Sequence, residues 1–302
     1  MHEIARGVPD AASDSGPDGS REPCMERWLD HTIAFDVGAA LTDVNSSRYE
    51  RDPFLSPDET TIYFSSMRAD SLPTNSSDIY TARRSSPTDP FGPVTKFTPA
   101  STATGFESRM SMTPDGKYLV VASTQTGGAG GADAWDSTVN MTAWGPLGRT
   151  HLMMVDDLND QYDPMISSTG LHLYLAPSTA GTSRTQQLAL ATRMTSTDNF
   201  GAPNAITELN DPTSLTADPM VNADETVIVF TSGRNGTLGG GDLWYATRTS
   251  AGGAWSTPVK VPGVNTAANE GDPHLSGDGC RLYFASDRDA GMDWDLFVAT
   301  AQ

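Results

Sequence analysis

The chain has 302 residues, 37% of them hydrophobic, and a formal charge of −19 from 19 basic and 38 acidic side chains. That balance excludes a surface built to track phosphates and disfavours anionic membranes; its natural complements are cations or a basic patch on another protein. No apolar run is long enough to cross a bilayer, and two cysteines, Cys24 and Cys280, make neither a disulfide scaffold nor a zinc site.

The first segment in chain order is polar. Met1–Gly7 lacks the apolar stretch of a secretory signal, and Cys24 follows Arg21-Glu22-Pro23 rather than a lipid-attachment motif. Residues 8–23 (VPDAASDSGPDGSREP) are rich in Asp, Ser, Pro and Gly and read as a disordered tether. Residues 1–24 are therefore expected to be a tail and 25–302 a single folded domain. Such a tether fits the mature form of an exported domain, periplasmic or held at the cell surface, with Met1 added. The cysteines leave two readings open: one bridge between the tail and the last repeat, or two separate thiols, which is the default.

Beyond the tail the chain repeats itself. Five segments share one layout: DPFLSPDETTIYFSS from Asp52, RMSMTPDGKYLVVAS from Arg109, DPMISSTGLHLYLAP from Asp163, DPMVNADETVIVFTS from Asp218 and DPHLSGDGCRLYFAS from Asp272. Their starts lie 54 to 57 residues apart. Each predicts a short strand, a tight turn carried by Pro, Asp or Gly, and a stronger apolar strand such as Val227–Phe230. A Gly/Ser-rich loop then leads to a third strand (Asp78-Ile79-Tyr80, Asp133-Ala134-Trp135, Gln187-Leu188-Ala189, Asp242-Leu243-Trp244, Asp295-Leu296-Phe297). A fourth is expected after an aromatic at Phe91, Trp144, Phe200 or Trp255.

Four short antiparallel strands make a sheet that needs neighbours on both faces, and radial repetition supplies them. The fold expected is an all-β, five-bladed β-propeller with repeats starting near residues 50, 107, 161, 216 and 270. The fifth copy ends at Gln302 straight after its third strand. FDVGAALTDVNSS from Phe35 matches the spacing of WSTPVKVPGVNTA from Trp255, each 17 residues before the next repeat's start. The N-terminal strand is thus predicted to complete the last blade, which removes an exposed sheet edge.

The pattern DPxLSPDGxxLYFxSxR followed by DxWxA resembles the WD-like repeat of TolB-type propellers, closely over Asp52–Ala82 and Asp272–Ala299 and least well in the third copy, where Gln187 replaces the strand-three Asp. The resemblance covers residues 35 to 302. It implies a protein-interaction platform; the fold alone does not dictate a chemistry.

Radial equivalence places position one of each repeat (Asp52, Arg109, Asp163, Asp218, Asp272) and the residues two earlier (Glu50, Glu107, Gln161, Thr216, Glu270) around the axis as an acidic channel mouth, with His274 close by. Asp52, Asp163, Asp218 and Asp272 would suit a hard cation such as Ca²⁺; alternatively each Asp caps a blade-to-blade turn through backbone N–H groups. A second recurring set, Arg68 with Asp78, Arg234 with Asp242 and Arg288 with Asp295, reads as structural ion pairs closing a hairpin. The loops Ala69–Ser77, Thr126–Ala132, Ser178–Gln186, Asn235–Gly241 and Asp289–Trp294 vary most and gather on one rim, where binding usually sits. Asp287, Asp289, Asp293 and Asp295 crowd one of them without matching a calcium loop, and read as solvated. Trp135, Trp244 and Trp294 read as packing between blades.

No nucleophile elbow, phosphate-binding loop or metalloprotease motif is present, and no catalytic residue is assigned. The leading expectation is a monomeric, non-catalytic binding module that takes a protein partner or small ligand at the rim loops or the axial mouth. The rival is a glycoside-hydrolase-like enzyme drawing an acid–base pair from Glu50, Glu107, Glu270 and Asp272. A third is a calcium-dependent lectin-like or structural propeller.

Overall fold

The computed structural model describes residues 23–71, 73, 76–140, 143–155, 160–178, 186–289 and 293–302. The expected tail lies outside them except for Pro23 and Cys24, which open a short helix, α1 (Pro23–Leu29), rather than end a tether. Parts of three variable loops (72, 74, 75, 179–185 and 290–292) also lie outside.

Strand β1 (Ala39–Ala40) comes next, then five repeats. Blade one is β2 (Glu50–Leu55), β3 (Thr61–Ser66), β4 (Asp78–Arg83) and β5 (Thr95–Lys96); blade two is β6 (Glu107–Met112), β7 (Tyr118–Ser123), β8 (Asp133–Asn140) and β9 (Ala143–Trp144). Blade three is β10 (Asp160–Ile166), β11 (His172–Ser178), β12 (Ala189–Thr192) and β13 (Asn204–Ala205); blade four is β14 (Thr216–Val221), β15 (Val227–Ser232), β16 (Asp242–Thr247) and β17 (Val259–Lys260). Blade five has β18 (Glu270–Leu275), β19 (Arg281–Ser286) and β20 (Asp295–Thr300), and takes β1 as its outer strand. Ala39 pairs with Val298 and Ala40 with Phe297, as the ring-closure argument requires. The innermost strands touch in one closed circuit, β2 to β6 to β10 to β14 to β18 and back to β2. This is a five-bladed β-propeller.

Middle strands are buried on both faces because each blade lies between two others. All six residues of β7, β15 and β16 are buried, which is why their sequences run apolar instead of alternating. Side chains such as Phe64, Tyr174, Phe230 and Phe284 are almost fully enclosed between sheets, each worth about 1.5–3 kcal/mol in removed apolar surface. Trp135 and Trp244 are buried as expected; Trp294 is half-buried and lies under the Arg51 guanidinium, 4.3 Å from its ring centre.

Blade two departs from the predicted layout. Its outer strand is Trp144 itself, paired with Val139 beyond a longer β8, and Gly148 bridges Asp136 further on. In blades one, three and four the corresponding aromatic is buried under an arginine (Phe91 under Arg84, Phe200 under Arg193, Trp255 under Arg248). In blade two Val139 occupies the place of that arginine, so Trp144 stacks on no cation among the described residues and stays partly exposed.

Two seams between blades carry the same latch. Glu59, in the first turn of blade one at φ 54°, binds Arg281 and Tyr283 of blade five and sits beside Arg84. Glu225, at φ 55° in blade four, binds His172 and Tyr174 of blade three and Arg248 of its own blade. Finally, Cys24 and Cys280 form a disulfide. The default of two thiols is corrected: α1 folds back over blade five, with Trp28 fully buried against Tyr245 and its Nε1 donating to the Gly279 carbonyl, and so brings Cys24 to Cys280.

Candidate functional site

The site begins with a backbone irregularity repeated in every blade. Asp52, Asp163, Asp218 and Asp272 have φ between 53° and 58°, and Arg109 has φ 38°. At each, the pairing register of the innermost strand slips. A left-handed residue within a strand costs on the order of 1–2 kcal/mol, least for Asp, whose short polar side chain bonds locally. The slip turns these side chains toward one another. Asp163 Oδ2 accepts from the Asp218 N–H and Asp218 Oδ2 from the Asp272 N–H, both at 3.3 Å, so the carboxylates link successive blades. Asp163 and Asp218 thus bond backbone N–H groups of the next blade's inner strand, whereas Asp52 and Asp272 bind side chains.

The four aspartates line a cavity of about 320 Å³ at the mouth of the axis, with Tyr49, Arg51, Ser65, Met67, Ser77, Phe106, Ser108, Tyr162 and Gln186. Arg51 holds Asp272 through two bonds, 2.6 and 3.1 Å. Asp52 accepts from Ser65 Oγ at 2.5 Å, and Asp163 from Gln186 at 3.3 Å. Arg109 crosses the axis from blade two to the carbonyls of Pro219 (2.8 Å) and Pro273 (3.3 Å), and its buried Nη1 has no partner among the described residues. Tyr49 and Phe106 stand 40% and 42% exposed at the entrance, an open aromatic rim above a polar floor.

Electrostatics divides the four carboxyls. Burial, then the nearby Asp272 charge, push Asp52 up to about 7 against the pull of Arg51 and Arg109. Burial and the neighbouring Asp218 and Asp52 hold Asp163 well above the usual carboxylate range, and burial with Asp272 raises Asp218. Burial also works to raise Asp272, but the Arg51 guanidinium and its hydrogen bonds outweigh it and keep that group below its ordinary value. Two guanidinium groups thus act on four carboxyls, three of which are pushed toward the neutral form, so little uncompensated negative charge is left there.

Several expected residues lie elsewhere. Glu50, Glu107 and Glu270 are fully buried away from the cavity, each clamping the loop before its own strand: Glu50 through the Ser46 N–H and hydroxyl, Glu107 through Thr102, Glu270 through Thr266. Gln161 and Thr216 occupy the same buried position. The register slip separates them from the Asp ring; an unbroken strand would have kept both positions on one side. His274 is buried too, its Nε2 accepting from the Leu55 N–H, and burial with Arg109 nearby pushes it down to about 3, so it stays neutral. The three hairpin ion pairs are corrected as well. Arg68 lies 3.5 Å from Glu50 and Arg288 3.0 Å from Glu270, whereas Arg234 donates to Ser232 and to the Leu209 carbonyl. Asp78 pairs instead with Lys96, Asp242 accepts the Leu238 and Gly239 N–H groups, and Asp295 makes no ion pair among the described residues. Each arginine turns back over its own aromatic residues, Arg68 and Arg288 toward the loop that Glu50 or Glu270 clamps and Arg234 toward the Leu209 carbonyl.

Sequence reasoning missed Arg51 and the rim of Tyr49, Phe106 and Tyr162. Their signal was available: they sit one and three residues before position one of their repeats, where the copies do not share a residue.

No protein-family model matches the chain, and no curated protein matches it. Solved structures share its fold. An α-L-arabinofuranosidase from Podospora anserina in complex with cellotriose aligns with TM-score 0.54 and 12% identity over 89% of this chain and 96% of that one. An α-L-arabinofuranosidase from Lactobacillus brevis aligns at 0.56 and 11% over 84% and 90%. TolB from Acinetobacter baumannii aligns at 0.48 and 14% over 85% of this chain, which spans 56% of that protein. At these identities the likeness concerns the fold alone. No helix among the described residues is long and apolar enough to cross a membrane.

Proposed function

We propose that the chain is a binding module whose axial cavity takes one unit of a neutral, hydroxyl-rich ligand such as a glycan. The observation that carries this reading is a near-balanced floor of carboxyl, guanidinium, hydroxyl and amide groups beneath two exposed aromatic rings. Sugars need acceptors and donors in equal supply along their hydroxyls and an apolar platform for their C–H face; metal ions need uncompensated oxygen charge, which Arg51 and Arg109 already offset here. A volume of about 320 Å³ is at the small end of ligand sites and suits a single sugar ring. The two arabinofuranosidases are glycan-active proteins on the same architecture, which adds support without deciding the chemistry. The Cys24–Cys280 bridge supports an oxidising, exported setting.

Glycoside hydrolysis is the second reading, favoured by the opposed shifts of Asp52 and Asp272, one toward the acid form and one toward the base. Against it, Asp272 is 1% exposed and both its oxygens are engaged by Arg51. Calorimetric titration with xylotriose, cellotriose and other neutral oligosaccharides, alongside a turnover assay, tests both. Binding without turnover, weakened at least tenfold in Phe106→Ala, is expected. Turnover abolished by Asp52→Asn would replace the binding reading with the hydrolase; no binding across the panel would sink both.

A further inference from the structure

A second cavity, of about 490 Å³, opens beside the first on the seam between blades one and two. Thr98, Pro99 and Thr102 line it from the crossing between the blades, Gln125 from the end of β7, and Trp144 with Leu147 from the outer edge of blade two. It lies where blade two is irregular: Trp144 lines it, whereas the corresponding aromatics of blades one, three and four are buried under arginines. The ring lies edge-on to Phe97, 6.5 Å between centres, and keeps part of its surface free. Gln125 Nε2 is buried at this wall with no hydrogen-bond partner among the described residues, a donor left waiting for an acceptor.

The two cavities share one ridge. Phe106 and Ser108 line the axial cavity, and Thr102 and Gln125 line the outer one. Between them Phe106 is stitched to Thr124, the neighbour of Gln125: its N–H donates to Thr124 Oγ1 at 2.9 Å and its carbonyl accepts the Thr124 N–H at 3.2 Å. Glu107 fixes Thr102 from the same ridge, at 2.8 and 3.0 Å. The path from the axis outward therefore runs over an exposed Phe106 to a half-exposed Trp144, with polar groups on both sides of it.

We propose that this is a two-subsite groove for a chain-like neutral oligosaccharide, with Trp144 the platform of the outer subsite and Gln125 its donor. It rests on the glycan reading of the axial cavity. A neutral ligand is specified because a chain of charge −19 repels polyanionic glycans, and an oligomer because two stacking platforms in succession call for successive rings.

The test is a length series, xylose to xylotetraose and glucose to cellotetraose, titrated against the wild type, Trp144→Ala, Gln125→Ala and Phe106→Ala. Affinity should rise with length in one series, and Trp144→Ala should cut the affinity of the longest member roughly tenfold while leaving its monomer unchanged. Phe106→Ala should weaken every member. Monomer binding with no gain on lengthening, or equal affinity in Trp144→Ala, overturns the outer subsite and leaves the axial reading standing. Absence of binding by all members of both series overturns the axial reading itself. Intact near-ultraviolet dichroism of each variant shows that the fold is retained.

Discussion

Asp52 shows how one residue ties stability to pH in this ring. Its carboxyl is raised from 3.8 to about 7 in the folded chain. The folded state therefore holds a proton that the unfolded state releases. This group's contribution is intact below about pH 4 and is lost as pH rises from there through about 7, the reverse of an ordinary salt-bridged Asp. Asp52→Asn removes the ionisation but keeps an oxygen for the Ser65 hydroxyl. The variant is expected to gain on the order of 2 kcal/mol over the parent at pH 8 and little at pH 4, read from denaturant titrations at both pH values. An equal gain at the two would show that folding does not raise the Asp52 carboxyl. Asp272, held by Arg51 below its ordinary value, works with the opposite sign: its contribution is lost as pH falls.

The blade seams are decided by paired elements rather than single strands. The Glu225 latch ties the first turn of blade four to β11 of blade three, and its partner Arg248 is almost fully buried. Glu225→Ala would leave that guanidinium enclosed without its carboxylate. A loss of about 3 kcal/mol is expected in chemical denaturation, against almost nothing for the exposed Glu208→Ala. Comparable losses in both variants would show that the latch does not hold the seam. The repeat made these turns predictable, through Pro57-Asp58 and Asp224-Glu225. The partner was not, because Arg281 and His172 stand over 50 residues away along the chain and meet the Glu only once neighbouring blades pack.

At the scale of the whole molecule the ring is closed twice, by β1 on β20 and by the Cys24–Cys280 bridge spanning 256 residues. Cross-linking so long a loop removes much of the unfolded chain's freedom, and Cys280→Ser is expected to cost about 4 kcal/mol. A melt of that variant matching the oxidised parent would mean the β1 seam alone closes the ring. The domain boundary shifts accordingly: Pro23 and Cys24 belong to the folded body, and the neighbouring Met25 packs against Gly279 and Asn222.

The sequence by itself determined the propeller, the number of blades and the strand that closes the last one. These follow from periodic turn residues and from a repeat that cannot bury its faces alone, both properties of the linear pattern. It also determined which four aspartates recur at the axis. Tertiary structure alone decided what surrounds them. A one-residue slip in each inner strand turned Asp52, Asp163, Asp218 and Asp272 toward the cavity and left Glu50, Glu107 and Glu270 as loop clamps. Five blades brought Arg51 to Asp272 and Arg109 across the axis, contacts between residues 110 to 221 positions apart. Side-chain direction at a bulge and charge balance at an axis depend on where separate blades meet, and no local pattern encodes that meeting.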